Sequence, residues 1–198
     1  MPVAQEIHEF TPSLFTWGAY EPAVKCELTS AAVATADGLV LIDPIELAED
    51  PLARLLHGRT PIAIVLTNGN HTRAAGTFRS RLAIPIFAAR DAEGLEIIPD
   101  STLDDGSIAP GGMRVVTLPG AGAGEIALLG SGVACIGDAL INLPPEGFRL
   151  LPAKYCSDAM ELRNSLRKLL SYEIHVVTFA HGAPLVVAGR RRLEQLLA

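Results

Sequence analysis

The most constraining stretch of this chain is an uninterrupted apolar run that ends abruptly in a polar one. Residues 61–66 read P-I-A-I-V-L, and residues 67–76 read T-N-G-N-H-T-R-A-A-G. A run that is apolar at every position is typical of a strand covered on both faces. Ala74, Phe78 and Leu82 then follow at four-residue spacing, which predicts a helix. The polar turn between strand and helix is a common place for ligands, because free helix N–H groups face the same crevice.

The chain before this run predicts a hairpin and a short helix. A turn signal, A-D-G at residues 36–38, is flanked by apolar segments on both sides. Asp50 is predicted to cap a helix that has Pro51 at its first position and Gly58 after its end.

The remaining apolar segments predict five more strands, at residues 84–89, 113–118, 125–129, 133–136 and 174–179. Pro85 indicates an edge strand or a strand start, because proline cannot donate to a sheet. The proline-rich residues 142–156 are predicted to form an irregular loop beside the site. Asp158 opens a capping-box pattern and predicts a helix through Leu170, and a second helix is predicted at the C-terminus.

Length and charge limit the classes of function. The chain has 198 residues and a net charge of −6, so we predict one α/β domain over residues 1–198 and exclude nucleic acid and anionic membranes as partners. Cys26, Cys135 and Cys156 are too few and too widely spaced for a disulfide framework or a cysteine-rich zinc site. With no visible signal peptide, a cytoplasmic location is expected. A homo-oligomer is left open.

Five short fragments along the chain form an ordered set. They are L-I-D-P at residues 41–44, V-L-T at 65–67, L-P-G-A-G-A-G at 118–124, I-G-D at 136–138 and F-A-H-G at 179–182. In this order they resemble the motifs of the metallo-β-lactamase superfamily, which includes lactamases, glyoxalase II-type thioesterases and many other hydrolases. The resemblance implies the α/β fold of that family, a four-layer αβ/βα sandwich of two mixed sheets flanked by helices.

The resemblance also indicates that this chain has other residues at most of the positions where the family has metal ligands. In the family, an H-x-H-x-D-H loop provides ligands to one or two zinc or iron ions. Here Asn68 and Asn70 stand at the first two histidine positions, Thr72 at the aspartate and Arg73 at the last histidine. His71 falls on a variable position, and we expect it to lie beside the start of the following helix rather than to act as a ligand.

Only Asp138 and His181 match ligand positions, since Ala121 replaces the histidine of the family's P-G-H turn. Carboxamides are poor ligands for zinc, and a guanidinium about 4 Å from another cation is repelled by roughly 4 kcal/mol per unit charge at an effective dielectric near 20. We therefore expect a degenerate metal site and no bound metal. A buried carboxylate needs a partner, so we predict that Arg73 replaces the ion and pairs with Asp138.

Two functional hypotheses follow. The first is a protein without a two-metal centre that binds a small-molecule ligand or has a structural or regulatory role. Its candidate ligand-binding residues are Asn68, Asn70, His71, Arg73, Asp138 and His181. The second is a hydrolase of esters, thioesters or phosphoesters with Asp138 and His181 as catalytic residues. It would use either a metal-free acid–base site or one divalent ion (zinc, iron or manganese), with His71 turned inward as third ligand.

Two further alternatives are weaker. A Cys156–His181 pair would provide a nucleophile and its base, if the fold brought them together. An exposed apolar patch around residues 142–156 would indicate a module that binds a partner protein.

Overall fold

The computed structural model describes residues 1–198, which form four α-helices and sixteen strands. The helices are α1 (Glu49–Leu56), α2 (Ala75–Leu82), α3 (Ala159–Arg167) and α4 (Gly189–Leu197). The strands are β1 (Val3–Ala4), β2 (His8–Thr11), β3 (Leu14–Glu21), β4 (Cys26–Ala34), β5 (Leu39–Ile42), β6 (Glu46–Leu47), β7 (Pro61–Leu66), β8 (Ile86–Ala89), β9 (Ser101–Leu103), β10 (Ile108–Ala109), β11 (Met113–Thr117), β12 (Ile126–Gly130), β13 (Val133–Ile136), β14 (Leu140–Leu143), β15 (Gly147–Leu150) and β16 (Val176–Phe179). Short 3₁₀ helices lie at Pro110–Gly112, Ala153–Tyr155 and Lys168–Ser171.

Two mixed sheets form the centre of the molecule. The larger has the order β2-β3-β4-β5-β7-β8-β9, and the smaller has the order β10-β11-β12-β13-β16. Strands β5, β7, β8 and β9 run parallel in the larger sheet, and β13 and β16 run parallel in the smaller one. Two small two-stranded sheets pair β1 with β6 and β14 with β15. No helix combines the length and the apolar character that crossing a membrane requires.

Three apolar clusters separate four layers, and β5 shows how the sequence divides between them. Leu39 and Leu41 belong to the cluster beneath α1 and α2, whereas Val40 and Ile42 belong to the cluster between the two sheets. Because side chains alternate along a strand, an all-apolar strand fills both interfaces. A third cluster packs α3 and α4 against the outer face of the smaller sheet. The predicted four-layer α/β sandwich is therefore confirmed.

Most predicted elements are present, and Asp158 is the helix cap that its motif predicts. Its side chain accepts hydrogen bonds from the backbone N–H groups of Met160 (2.9 Å) and Glu161 (3.0 Å). Pro85 directly precedes β8, so the strand-start prediction is correct. The edge-strand alternative is wrong, because β8 pairs on both sides.

Two local predictions are wrong. Helix α1 begins at Glu49 after Ala48, so Asp50 lies inside the first turn instead of capping it. A carboxylate is favourable there too, because it faces the positive end of the helix dipole, so the sequence pattern fits either position. Residues 142–156 are not an irregular loop, since they contain most of the β14–β15 hairpin and a 3₁₀ turn.

The single tryptophan anchors the cluster beneath the helices. Trp17 on β3 is fully buried, and its ring Nε1 donates a hydrogen bond to the carbonyl of Ile45 (2.9 Å).

We expect Trp17→Phe to lower the free energy of unfolding by about 2 kcal/mol, through a small cavity and an unsatisfied carbonyl. Urea denaturation followed by circular dichroism measures this. Tyr20→Phe on the same strand, where the side chain is exposed, is the control and should leave stability unchanged.

Candidate functional site

Four strand ends meet at one seam between the sheets. In the larger sheet, parallel strands β5 and β7 lead into Asp43 and residues 67–73, and in the smaller sheet β13 and β16 lead into Asp138 and His181. The carboxyl ends of parallel strands commonly hold ligands, because the chain leaves the sheet there and its side chains converge. Each half of the sandwich therefore contributes to the cluster.

The turn that carries His71 is held close to the neighbouring chain. A Cβ at Gly69 would lie 1.6 Å from the carbonyl oxygen of Glu93, so only glycine fits at this position. The imidazole of His71 is buried and points inward, with its side chain only 4% exposed. His71 does precede helix α2 as expected, but its ring turns into the site, with Nε2 3.2 Å from Oδ1 of Asp138.

Asp138 lies between two imidazoles. Its Oδ1 is 3.2 Å from Nε2 of His71 and 3.1 Å from Nε2 of His181. Despite these short separations, Oδ1 is buried and accepts no aligned hydrogen bond. Three polar atoms that converge at these distances, without aligned hydrogen bonds between them, are placed like the ligands of a single ion.

The outer nitrogen of each imidazole has an acceptor of its own. Nδ1 of His71 lies 3.0 Å from Oδ2 of Asp43, and Nδ1 of His181 lies 2.9 Å from the carbonyl oxygen of Glu27. Because both partners accept, we assign a proton to each Nδ1, which directs the two Nε2 atoms at Asp138. Metal-binding histidines are oriented in this way, by a carboxylate or a carbonyl on the other ring nitrogen.

The cluster shifts the pKa values of its members. Burial opposes a charged imidazole at His181, but the contact with Asp138 outweighs it and raises the pKa to about 10. Burial likewise opposes the charge on His71, yet the carboxylates of Asp43 and Asp138 raise its pKa. Burial acts to raise the pKa of Asp138, and the two imidazoles hold it well below its usual range. Asp138 and the two imidazoles therefore favour one another's charged forms.

Arg73 does not form the predicted ion pair with Asp138. Its Nη1 donates to the carbonyl oxygens of Thr29 (2.7 Å) and Asp43 (3.0 Å), and its Nη2 donates to that of Ala180 (3.1 Å). The partners of Asp138 are the two imidazoles instead. The reason is geometric: the planar guanidinium reaches carbonyls of both sheets at once, which a single carboxylate could not replace.

Two residues here have left-handed backbone conformations that side chains other than glycine rarely adopt, Asp43 (φ 47°) and Arg73 (φ 42°). Each such residue costs of the order of 1 kcal/mol, and such conformations cluster at functional sites. The hydrogen bond from Arg73 to the Asp43 carbonyl holds the two together.

The two asparagines do not join the cluster. Asn68 is buried, and its Nδ2 donates to Oε2 of Glu125 (2.8 Å), while Asn70 is exposed. Cys156 is not beside His181 either, since its Sγ contacts the carbonyls of Leu151 and Pro152. The thiol next to His181 belongs to Cys26, with Sγ 3.3 Å from Nδ1.

Sequence reasoning missed Glu27, Cys26 and Glu125 as neighbours of the site, and treated Asp43 only as the end of a hairpin. Glu125 had a detectable signal, because it is a lone carboxylate next to the apolar strand β12. Glu27 contributes through its backbone carbonyl, and Cys26 follows an exposed turn, so neither has a signal in its residue type.

His71, Asp138 and His181 fit a divalent metal ion. One ligand atom from each lies within 4.8 Å of the others, and they are the only such group of three in the chain. With metal–ligand distances near 2.0–2.2 Å, neighbouring ligand atoms of a tetrahedral site lie about 3.3–3.6 Å apart. The observed separations of 3.1 and 3.2 Å are close to this.

A family model described as the metallo-beta-lactamase superfamily matches residues 7–198. The chain belongs to this superfamily. The predicted resemblance is thereby confirmed, and the four strand ends that meet at the site carry four of the five sequence fragments. A search of the curated proteins finds no match.

Solved structures, two metallo-β-lactamases among them, have the same fold. DIM-1 metallo-β-lactamase is 17% identical, with a TM-score of 0.76 over 99% of this chain and 97% of that one. A metallo-β-lactamase from Pontibacter korlensis is 18% identical, with a TM-score of 0.74 over 97% and 98%. TTHA1623, solved in a di-iron-bound form, is 26% identical, with a TM-score of 0.65 over 88% and 96%.

The Arg73 contacts predict a large effect on stability. We expect Arg73→Met to lower the free energy of unfolding by about 3 kcal/mol or more, because three carbonyls and the nearby Asp43 carboxylate lose a buried cation. Arg73→Lys should recover only part of this, since an ammonium cannot reproduce the planar fork. Chemical denaturation of metal-free protein measures both. The control is Arg191→Met, at an exposed arginine of α4, and equal stability of the two methionine variants would contradict the assignment.

Proposed function

We propose that this chain is a hydrolase that works with a single divalent metal ion bound by His71, Asp138 and His181. The observation that carries the proposal is the buried Oδ1 of Asp138, which accepts no aligned hydrogen bond although two imidazole Nε2 atoms lie beside it. Two imidazoles and one carboxylate form a ligand set of catalytic zinc sites, with a further position open to substrate. The same set suits ferrous iron, so zinc, iron and manganese are the candidates.

One ion, not two, is supported by the neighbouring residues. The chain has one group of three suitable ligands, and Asn68 is turned away from it towards Glu125. A second ion would also approach the fixed positive charge of Arg73 without a further free carboxylate to offset it. The di-iron-bound form of TTHA1623 supports including iron among the metals tested, although its ion number differs from the one proposed here.

The protein's own residues would hold and orient the reacting groups. Asp43 and the Glu27 carbonyl fix the two imidazoles through their Nδ1 atoms, which keeps each Nε2 directed inward. Asp138 and His181 remain 17% and 18% exposed, so one side of the cluster faces solvent, as access by a substrate requires. When bound, the ion supplies Lewis-acid polarisation of a carbonyl or phosphoryl oxygen. Esters, thioesters and phosphoesters share such an oxygen, which makes them the substrate classes to test.

Metal content tests the site directly. We expect tag-free protein to retain about one equivalent of zinc, iron or manganese per chain, as a three-ligand site does. His71→Ala and His181→Ala should each lose most of it, measured by elemental analysis after gel filtration. The matched control is His175→Ala, because His175 is exposed and pairs only with Glu173. Protein that takes up no metal when each is offered, or that binds two ions per chain, would contradict the proposal.

Activity is a separate test. With chromogenic ester, thioester and phosphodiester substrates, we expect turnover of at least one class, lost on chelation and restored by the metal. Loss of His71 or His181 should lower kcat/KM by about a hundredfold or more, because the ion contributes several kcal/mol to the transition state. Metal-loaded protein that hydrolyses none of the three classes would refute the hydrolase assignment and favour a ligand-binding role.

A further inference from the structure

A buried carboxylate that the proposed chemistry does not use lies behind the cluster. Glu125, which directly precedes β12, is only 3% exposed. Its Oε1 accepts a hydrogen bond from the backbone N–H of Ala139 (2.9 Å), and its Oε2 accepts one from Nδ2 of Asn68 (2.8 Å). Both oxygens are therefore satisfied, and Glu125 is not one of the three ligands.

Each of these hydrogen bonds leads to a loop that carries a ligand. Ala139 immediately follows Asp138. Asn68 lies three residues before His71, and its Oδ1 accepts a hydrogen bond from the N–H of Asn70 (2.9 Å), which shapes the turn. Glu125 thus joins the loop from the larger sheet to the loop from the smaller one.

The packing leaves little freedom on the Asp138 side. A Cβ at Gly137 would lie 2.4 Å from Oγ1 of Thr67 and 2.8 Å from Oε1 of Glu125. The residue before Asp138 is therefore pressed directly against the glutamate and against the start of the opposite loop. We therefore expect a shift of the Glu125 carboxylate to move the backbone that aims Asp138.

We propose that Glu125 is a positioning residue for the metal site, which sets the separation between His71 and Asp138 through Asn68 and the Ala139 N–H. This inference rests on the proposed function. Asn68 stands at a position where the family has a metal ligand. In this chain it instead donates a hydrogen bond to Glu125, which links the two ligand-bearing loops.

The hydrogen bond between Asn68 and Glu125 can be tested by exchanging the amide and the carboxylate between the two positions. Glu125→Gln replaces one acceptor oxygen with an N–H donor. The new donor then faces another donor, from Asn68 or from Ala139, and one hydrogen bond is lost. In the exchanged pair Asn68→Asp with Glu125→Gln, the new amide donates to the new carboxylate. Oε1 still accepts from Ala139, and the turn bond from Asn70 is kept. All three hydrogen bonds are restored, with only the middle one reversed.

The experiment measures the metal dissociation constant by competition with a chromophoric chelator, using zinc alone as the probe. We expect Glu125→Gln and Asn68→Ala each to weaken zinc binding by about 10- to 100-fold, the usual effect of losing a group that orients ligands. The exchanged pair should recover most of the lost affinity. Glu9→Gln, at an exposed glutamate on β2, is the control and should bind as the unmodified protein does.

A stability measurement on the metal-free variants separates positioning from simple support of the fold. Folded variants that bind zinc as tightly as the unmodified protein would overturn the inference, as would an exchanged pair no better than Glu125→Gln alone. Should Glu125→Gln fail to fold, Asn68→Ala still decides, because it keeps the carboxylate and its bond to Ala139. Failure of the unmodified protein to bind zinc, iron or manganese would instead overturn the proposed function, and this inference with it.

Discussion

The packing of two mixed sheets, with the carboxyl ends of their parallel strands at one seam, is the constraint on which the site depends. Backbone hydrogen bonds cross this seam, from the N–H of Thr29 to the carbonyl of Ala180 (2.8 Å) and from the N–H of Ile126 to the carbonyl of Thr67 (2.8 Å). The apolar cluster between the sheets holds them in this position. No element contains the cluster alone, so its geometry follows from tertiary packing and not from any local motif.

The fold was predictable because its signals are long and repeated. Strands such as β7 are apolar at every position, which indicates burial on both faces, and five motif fragments appear in the family's order. Local boundaries were less predictable. A carboxylate near a helix start is favourable both as a cap and in the first turn, so Asp50 alone could not distinguish them.

The site was predictable in part. Asp138 and His181 follow strands that the sequence identifies, and the structure brings them together. His71 could not be placed from its motif position, because the direction of a side chain in a turn depends on the backbone around it. Here that backbone includes the close approach of Gly69 to Glu93 and the left-handed conformation of Arg73, neither of which the motif position reveals. The acceptor on His181 is the carbonyl of Glu27, which any residue type would supply.

If the proposed ion binds, Arg73 has a consequence for the site when metal is scarce. A coordinated ion exchanges with the surroundings and can be removed by a stronger chelator. The guanidinium is covalently attached, and an arginine keeps its proton over the whole physiological range. The site would therefore have two positive charges, an exchangeable one on the ion and a permanent one on Arg73. Loss of the proposed ion would stop catalysis. The fold around the site would remain, and the site could bind metal again.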